Sequence, residues 1–181
     1  MNRFLKCLGA VILYATLGAC AVVNISNSRQ ASLPRNARWV LLPIQNHTET
    51  PQAGLRAETI LVPLLHQSGI LNLALYPASL NRDSLLAGNE QAAAEDAKRW
   101  AREQGFNYAV TGNVDEWRYK VGVDGEPAVG ISLLVWDLGS DRIVWSAVSG
   151  KSGYSREAVS AVAQKMIRDL TARMPLTDEL K

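Results

Sequence analysis

The spacing of apolar and polar residues in the first part of the chain predicts a strand followed by a helix. Residues 38–44 form a short apolar run rich in strand-forming side chains, which indicates a buried strand. Pro43 predicts that this strand ends there or lies at a sheet edge, because proline has no N–H to donate. Residues 53–67 follow helical spacing, and Pro63 within them predicts a kink or a break. Gly69 is a residue suited to end that helix.

The next part of the chain predicts one more strand and one more helix. Residues 73–76 are a short apolar run closed by Pro77, which indicates a strand. Residues 89–104 have the composition of a helix. Asn89 is a capping residue at its start, and Gly105 stops it.

Three alternating stretches then predict an antiparallel meander. Residues 108–120 and 129–137 alternate in polarity, and Gly125 lies in a hairpin-like turn between them. Residues 142–149 return the chain, and Ser155 is expected to cap a final helix. The apolar residues of that helix follow i, i+3, i+4 spacing: Val159, Val162, Ala163, Met166, Ile167 and Leu170.

The predicted order of elements, βαβαβββα, indicates a single α/β domain with a mixed sheet over residues 38–175. Residues 20–37 show no periodicity, and we expect them to form a lipid-bearing tether. Residues 176–181 are expected to be a C-terminal tail. The sequence contains no internal repeat and no sign of a second domain.

The N-terminus has the pattern of a secretory signal that ends in a lipid attachment site. Arg3 and Lys6 precede an uncharged apolar stretch, residues 8–17, which is too short for a membrane span of about 20 residues. Leu-Gly-Ala-Cys at 17–20 resembles the bacterial lipobox, in which the cysteine is acylated before cleavage. We therefore expect residues 1–19 to be removed and Cys20 to carry lipid. An ordinary signal peptide followed by a chance cysteine is the weaker interpretation.

Processing at this site changes what charge and cysteine content imply. The chain has 19 basic and 17 acidic residues, and Arg3 and Lys6 are lost with the signal, so the mature chain has 17 of each. A net charge of zero gives no support for nucleic-acid binding or for polybasic attachment to membranes. The two cysteines are Cys7, which is lost, and Cys20, which is acylated. No disulfide, cysteine catalyst or cysteine-based metal site is expected.

Candidate catalytic groups are few. His47 and His66 lie in different elements without partners at metal-ligand spacing, so we interpret both as solvated residues and predict no metal and no cofactor. No G-x-S-x-G motif is present.

Four acids cluster near one strand end and the hairpin. Paired carboxylates can catalyse glycoside hydrolysis, but a small domain without a deep cleft is a poor hydrolase. An acidic surface that binds a cationic ligand is the favoured interpretation, and no enzyme activity is predicted. The four acids are Asp115, Glu116, Asp124 and Glu126.

Aromatic residues in the meander offer two candidate contact surfaces. Trp145 lies on a hairpin arm, where it either packs on the sheet or projects toward a membrane interface. In a lipid-tethered protein the interfacial position gains weight. Trp117 and Tyr119 are expected to share one face of their strand, opposite Val114, as a possible oligomer contact.

Four stretches resemble the PelC family, the outer-membrane lipoproteins of the Pel exopolysaccharide export system. They cover the chain from about Arg38 to the last helix. More broadly the chain is similar to TolB-N-terminal-like periplasmic domains, which include lipoprotein activators of cell-wall synthases, the alternative function. The stretches are TPQAGLRAE at 50–58, YPASLNRDSLL at 76–86, EWRYKVGVDGEPAVG at 116–130 and WSAVSGKSGYSRE at 145–157.

The PelC resemblance implies a non-catalytic subunit of a closed ring beneath the outer membrane. The ring would be held by acyl chains and an aromatic belt, and it would pass a cationic polysaccharide to an outer-membrane porin. Trp145 is the candidate for the belt, with Tyr154 as the competing choice. Ala21 follows the cysteine, and the absence of Asp there favours the outer membrane.

The same resemblance implies two kinds of functional acid. Arg99 and Asp115 are the candidates for an Arg–carboxylate pair, across subunits or facing the lumen. Asp124 and Glu126 are candidates for an acidic surface facing the polysaccharide, and Asp124 competes with Asp115 for the role of functional acid. Partners implied are further copies of this chain, a porin or TPR export protein, the polysaccharide and the lipid bilayer, with no nucleic acid.

Overall fold

A mixed β-sheet forms the centre of the domain in the computed structural model, which describes residues 21–27, 32–80, 90–122 and 125–178. The strands are β1 (Ala21–Asn27), β2 (Leu33–Pro34), β3 (Trp39–Asn46), β4 (Leu73–Leu75), β5 (Tyr108–Tyr119), β6 (Pro127–Asp137), β7 (Arg142–Ser152) and β8 (Leu176–Thr177). The helices assigned within those residues are α1 (Ala53–Gln67), α2 (Glu90–Glu103) and α3 (Val159–Thr171).

The main sheet has the strand order β1-β7-β6-β5-β3-β4. β1, β7, β6 and β5 are antiparallel to their neighbours, whereas β3 is parallel to both β5 and β4. The predicted single α/β domain with a mixed sheet is therefore confirmed. Sequential antiparallel strands form the meander, and helices connect the parallel strands, as such connections require.

The larger hydrophobic core lies between the sheet and helices α1 and α3. The alternation predicted for β6 is confirmed, because its core-facing residues are all buried: Val129, Ile131, Leu133 and Val135. The apolar residues of α3 are also buried and pack against the sheet. The helix begins at Val159 after an uncapped Ala158, so the predicted cap at Ser155 is wrong.

The two prolines within predicted elements are accommodated without ending them. α1 runs from Ala53 to Gln67 with Pro63 inside it, so the predicted break is absent. β3 continues past Pro43 through a register shift between Leu41 and Ile44. β4 pairs only with Trp39 to Leu41 of β3, so Pro43 lies beyond the reach of that neighbour. A residue without an N–H is tolerated where one side of the strand has no ladder to complete.

A β-bulge interrupts the alternation of β5. Val114 pairs with Ile131 and Glu116 pairs with Gly130, which leaves Asp115 as the extra residue. The shift reverses the faces of all later residues in the strand. Val114 and Trp117 are consequently both buried in the core, and the prediction that Trp117 lies opposite Val114 in an oligomer contact is wrong.

The segments on either side of the predicted domain are part of the fold. β1 pairs with β7 over its whole length, so residues 21–27 are a strand and not the predicted tether. β2 pairs with β8, so residues 33–34 and 176–177 also belong to the domain and the predicted C-terminal tail is in part a strand. The predicted signal peptide, residues 1–19, and Cys20 lie outside the described residues.

Candidate functional site

Among the described residues, the face of the sheet that carries α2 is covered only at one end. Ala97 and Ala101 of α2 pack with Val40 of β3 and Ala109 of β5. Beyond α2, strands β5, β6 and β7 present mostly small or polar residues that are half-buried or exposed. We call this surface the open strip, and it consists of Asn113, Asp115, Glu116, Gly130, Ser132, Val148 and Gly150.

The bulge in β5 places two consecutive acids on the open strip. Without it, Asp115 and Glu116 would point to opposite faces of the sheet, because side chains alternate along a strand. Glu116 instead lies against Gly130, which in turn pairs with Gly150 of β7. The two glycines have no side chains, so nothing projects from the sheet directly beside the acids at these two positions.

Asp115 is held by side chains from two strands and one loop. Its Oδ2 accepts a hydrogen bond from Ser132 Oγ at 3.2 Å, and its Oδ1 accepts one from Asn113 Nδ2. His47 Nδ1 lies 3.4 Å from Oδ1, and its Nε2 lies 3.3 Å from Gln45 Oε1. The carboxylate is exposed, and the Ser132 hydroxyl and the Asn113 amide fix it in place. It is therefore suited to attract a cation from solvent.

His47 joins this network because of the parallel pairing of β3 with β5. The last pair in that register is Asn46 with Val114, so the next residue of each strand, His47 and Asp115, are neighbours. His47 lies in a loop and is exposed, as predicted, and its ring also contacts Asp115. The two residues are 68 positions apart, and no local pattern could have joined them.

The other acids near the hairpin have cationic partners in their own chain. Glu116 pairs with Arg118 at 2.9 Å, and Glu126 lies 3.8 Å from Lys120. Exposed pairs of this kind add about 0–1 kcal/mol to stability, but they offset the negative charge of the surface. Asp124, the competing acid, lies outside the described residues.

Arg99 and Asp115 are not brought together within one chain. Arg99 lies on the exposed side of α2 and pairs with Asp96 one helical turn before it. Asp115 lies farther along the same face of the sheet, in contact with Asn113, Ser132 and His47. A functional pair of these two residues requires two subunits and remains a proposal.

Trp145 lies in the hydrophobic core. Its side chain is 1% exposed, and it faces the α1–α3 side of the sheet beside Val135 and Ala147. Its indole Nε1–H has no acceptor among the described residues. The prediction that Trp145 belongs to a membrane-facing belt is therefore wrong for this fold. The sequence signal for this burial was that Trp145 and Ala147 are apolar residues two positions apart on one strand, which places both on the same face.

Exposed aromatic and aliphatic side chains instead cluster at the end of the sheet where the β5–β6 hairpin lies. We call it the hairpin end, and it includes the exposed Tyr119, Val121 and Tyr154 together with the half-buried Lys151. Val121 is fully exposed, Tyr154 is 70% exposed and Tyr119 is more than half exposed. The first residue of β1, Ala21, pairs with Lys151. The chain therefore enters the sheet at the same end that carries these residues.

Groups suited to hold a metal ion do not meet among the described residues. No cluster of three or more His, Cys, Asp or Glu side chains there is placed to hold a metal ion. A groove of about 560 Å³ between α1 and α3 has a single ionisable lining residue, Arg168. No helix within the described ranges is long and apolar enough to cross a membrane.

Comparison with solved structures gives the relationship. The chain superimposes on the PelC dodecamer from Paraburkholderia phytofirmans with a TM-score of 0.72 and 33% identity, covering 87% of this chain and 99% of that one. A substituted variant of the same dodecamer matches at 34% identity with the same TM-score, over 87% of this chain and all of that one. This chain belongs to the PelC family.

More distant structures share the fold of this PelC-family protein. Lipoprotein GNA1162 from Neisseria meningitidis matches with a TM-score of 0.52 at 15% identity, over 76% of this chain and 96% of that one. Protein CT253 from Chlamydia trachomatis matches with a TM-score of 0.50 at 12% identity, over 77% and 96% of the two chains. No model of a protein family and no curated protein matches the sequence.

Proposed function

We propose that this protein is an outer-membrane lipoprotein that assembles into a ring and assists export of a cationic exopolysaccharide, Pel, to an outer-membrane porin. The observation that carries the proposal is 33–34% identity over 99–100% of a PelC chain that forms a dodecamer. The proposed role is that of a conduit or docking collar, which needs no catalysis from this chain. Its partners are further copies of itself, the porin or TPR export protein of the system, and the polymer.

The hairpin end is the surface that faces the membrane in this proposal. Cys20 is bonded to Ala21, and consecutive Cα atoms are about 3.8 Å apart, so lipid on Cys20 lies beside the first residue of β1. Tyr154 and Val121 project from this end and replace Trp145 as the interfacial side chains. A tyrosine ring with an apolar body and a polar hydroxyl is favoured at the headgroup level.

Direct attachment of the lipid to the sheet disfavours the alternative function. A lipoprotein that activates a cell-wall synthase needs a flexible tether to reach from the outer membrane to the cell wall. Here no residue separates Cys20 from the strand that begins at Ala21. A domain held at the membrane surface is suited to work beneath a porin, and the acyl groups of many copies add up by avidity.

The open strip is the surface proposed to face the polymer in the lumen of the ring. Asp115 supplies a fixed carboxylate, and the glycine pair beside Glu116 leaves room for an extended chain to lie along β5 to β7. A polymer with free amino groups is attracted to a carboxylate that is repeated once per subunit. Exposed acids bind such a polymer weakly at each site, which permits it to move on.

A charge-removing substitution tests the acid directly. Asp115→Asn keeps the size of the side chain and its capacity to accept from Ser132, but it removes the charge. We expect less secreted polysaccharide in a strain that depends on this chain, with the oligomer unchanged by light scattering in detergent. Asp169→Asn on the exposed face of α3 is the matched control and should secrete normally. Normal secretion by Asp115→Asn would exclude the acid from the export path, and a monomer in detergent would overturn the ring.

A further inference from the structure

The main sheet ends in two open edges that differ in character. On its outer side β1 has no strand partner among the described residues, and β4 has none at the opposite edge. β1 has seven residues, Ala-Val-Val-Asn-Ile-Ser-Asn, with no charge and no proline. Natural edge strands are usually protected by charged residues, proline or bulges, because their free N–H and C=O groups can pair with another chain. β1 carries none of these protections.

The β4 edge presents exposed leucines. Leu71, two residues before the strand, is 77% exposed, and Leu75 at its end is 56% exposed. Inner contacts of this strand are complete, since β4 pairs with β3 and the Tyr76 N–H donates to the Leu41 carbonyl oxygen at 3.0 Å. The outward side therefore combines unpaired strand edge with apolar surface, which is typical of a contact with another protein surface.

We propose that β1 of one subunit pairs with β4 of the next, so that the sheet continues from copy to copy around the ring. The inference rests on the proposed function, because it takes the ring and the lipid on Cys20 as given. The occupant of each edge is a second copy of this chain. The dodecameric state of a family member at 33–34% identity supports that occupant.

The directions of the strands fit this arrangement. β1, β7, β6 and β5 reverse direction in turn, and β5, β3 and β4 run the same way, so β1 and β4 are antiparallel. Neighbouring copies in a ring differ by a rotation about the ring axis, which keeps every Cys20 on the same side. If the strands run roughly along that axis, β1 meets the neighbour's β4 as an antiparallel pair.

Pairing between identical edges would not keep every Cys20 on the same side of the ring. An antiparallel pair of β1 strands from two copies relates them by a two-fold axis, which turns their Cys20 ends to opposite sides. Both lipids could then not enter one membrane. A contact of this isologous kind also closes at two copies, whereas rings are built from heterologous contacts between two different surfaces. The two edges of the sheet are such a pair of surfaces, and joining them removes both exposed edges.

Cross-linking between single cysteine variants tests the pairing. After processing the chain has no free thiol, because Cys7 is removed and Cys20 carries lipid. Asn24→Cys on β1 and Ala74→Cys on β4 place thiols on the same face of the sheet, because Asn24 pairs with Val148 and Ala74 pairs with Val40. Asn24 is exposed and Ala74 is half-buried. Within one chain these edges are separated by five interstrand spacings, roughly 24 Å, so a short bis-maleimide links them only between copies.

The experiment uses the acylated full-length protein in detergent, with the two variants co-expressed so that rings contain both. We expect cross-linked dimers from the mixture, none from either variant alone, and a ladder of bands from the double variant. Leu55→Cys on the half-exposed side of α1 replaces Ala74→Cys as the control and should give no dimer with Asn24→Cys. Circular dichroism checks that each variant is folded. Wild-type protein treated with the same cross-linker should not react, which checks that Cys20 is blocked.

Two results would overturn the pairing and are distinguishable from failure of the proposed function. Dimers from Asn24→Cys alone would show an isologous β1 contact. An intact ring by light scattering without dimers from the mixture would place the subunit contact on other surfaces. A monomer in detergent would instead refute the ring itself, and the edge pairing with it.

Discussion

At the residue scale, burial separates side chains that the sequence makes equivalent. Trp145 lies on β7 and Tyr154 follows it. Both are aromatic residues in the stretch at 145–157 that resembles the PelC family. Trp145 is enclosed by the core and Tyr154 stands in solvent at the hairpin end. An indole that contributes to packing cannot also enter a bilayer without opening the core.

Trp145→Ala should therefore destabilise the domain. Truncation of a buried tryptophan removes its contacts and leaves a cavity, at a cost of about 3–5 kcal/mol. We expect a large fall in the urea midpoint of unfolding. Tyr154→Ala is the matched control, with an unchanged midpoint but a smaller membrane-bound fraction. An unchanged midpoint for Trp145→Ala together with loss of membrane binding would restore the belt assignment.

Glu58 gives the stability of the protein a readable pH dependence. It accepts a hydrogen bond from the Ile44 N–H at 2.9 Å, and burial raises the pKa of its carboxyl above the ordinary value of 4.5, with that hydrogen bond opposing the rise. Between 4.5 and the raised pKa the folded state holds more protons than the unfolded state. The free energy of unfolding therefore falls as pH rises through this window.

Glu58→Gln should remove that contribution. Glutamine retains an oxygen that accepts from Ile44 N–H, and it has no proton to lose. We expect the stability of the variant, relative to the wild type, to be greater at about pH 7 than at about pH 4. Urea titrations at both pH values measure the difference. A relative stability that is independent of pH would mean that Glu58 ionises normally in the folded protein.

At the element scale, small backbone irregularities place the functional side chains. The bulge at Asp115 turns two acids toward the open strip and returns Trp117 to the core. The close approach of β5 to β6 beside it depends on Gly112, where an added Cβ would collide with the Ser132 carbonyl oxygen. Ser132 in turn donates to Asp115, so the same contact supports the strip.

Gly112→Ala should consequently weaken both the sheet and the strip. Forcing a methyl group against the backbone of the next strand costs about 1–3 kcal/mol. We expect a lower melting temperature and reduced polysaccharide secretion. Gly150→Ala on β7 is the control for the melting temperature alone, because an added Cβ there meets no atom within 4 Å. Equal melting temperatures for the two variants would show that β5 and β6 can separate without cost.

At the scale of the whole molecule, location cannot depend on general charge. The proposed mature chain has 17 basic and 17 acidic residues, so in the proposed lipoprotein the lipid and the hairpin end hold it at the membrane. Attachment at Cys20, directly before β1, would also set the orientation of the domain, since Cys20 is bonded to Ala21. Orientation of every copy in the same sense is what a ring with one membrane-facing side requires.

Cys20→Ser should abolish acylation and shift the protein from the membrane to the soluble periplasmic fraction. Because the described strand begins at Ala21, after Cys20, the melting temperature and the oligomer should be retained. Fractionation with an antibody and light scattering of the soluble form measure both. A membrane fraction equal to that of the wild type would mean that the ring and its hairpin-end side chains hold the membrane without lipid.

Several elements were predictable because their determinants are local. The period of β6 and of α3 depends on residues two to four positions apart, and both predictions match the buried positions. The edges of the domain were not predictable in this way. β1, β2 and β8 are short segments whose partners lie more than a hundred positions away, so nothing in their own sequence distinguishes a strand from a tether.

The sequence by itself determined the fold class and the family resemblance, since these follow from short-range spacing and shared motifs. Tertiary structure alone decided that Trp145 is in the core, that His47 lies beside Asp115, and that two acids share one face. Each of these depends on a strand register, and one extra residue in a ladder reverses every side chain after it. The periodicity of the sequence does not indicate where such a shift occurs.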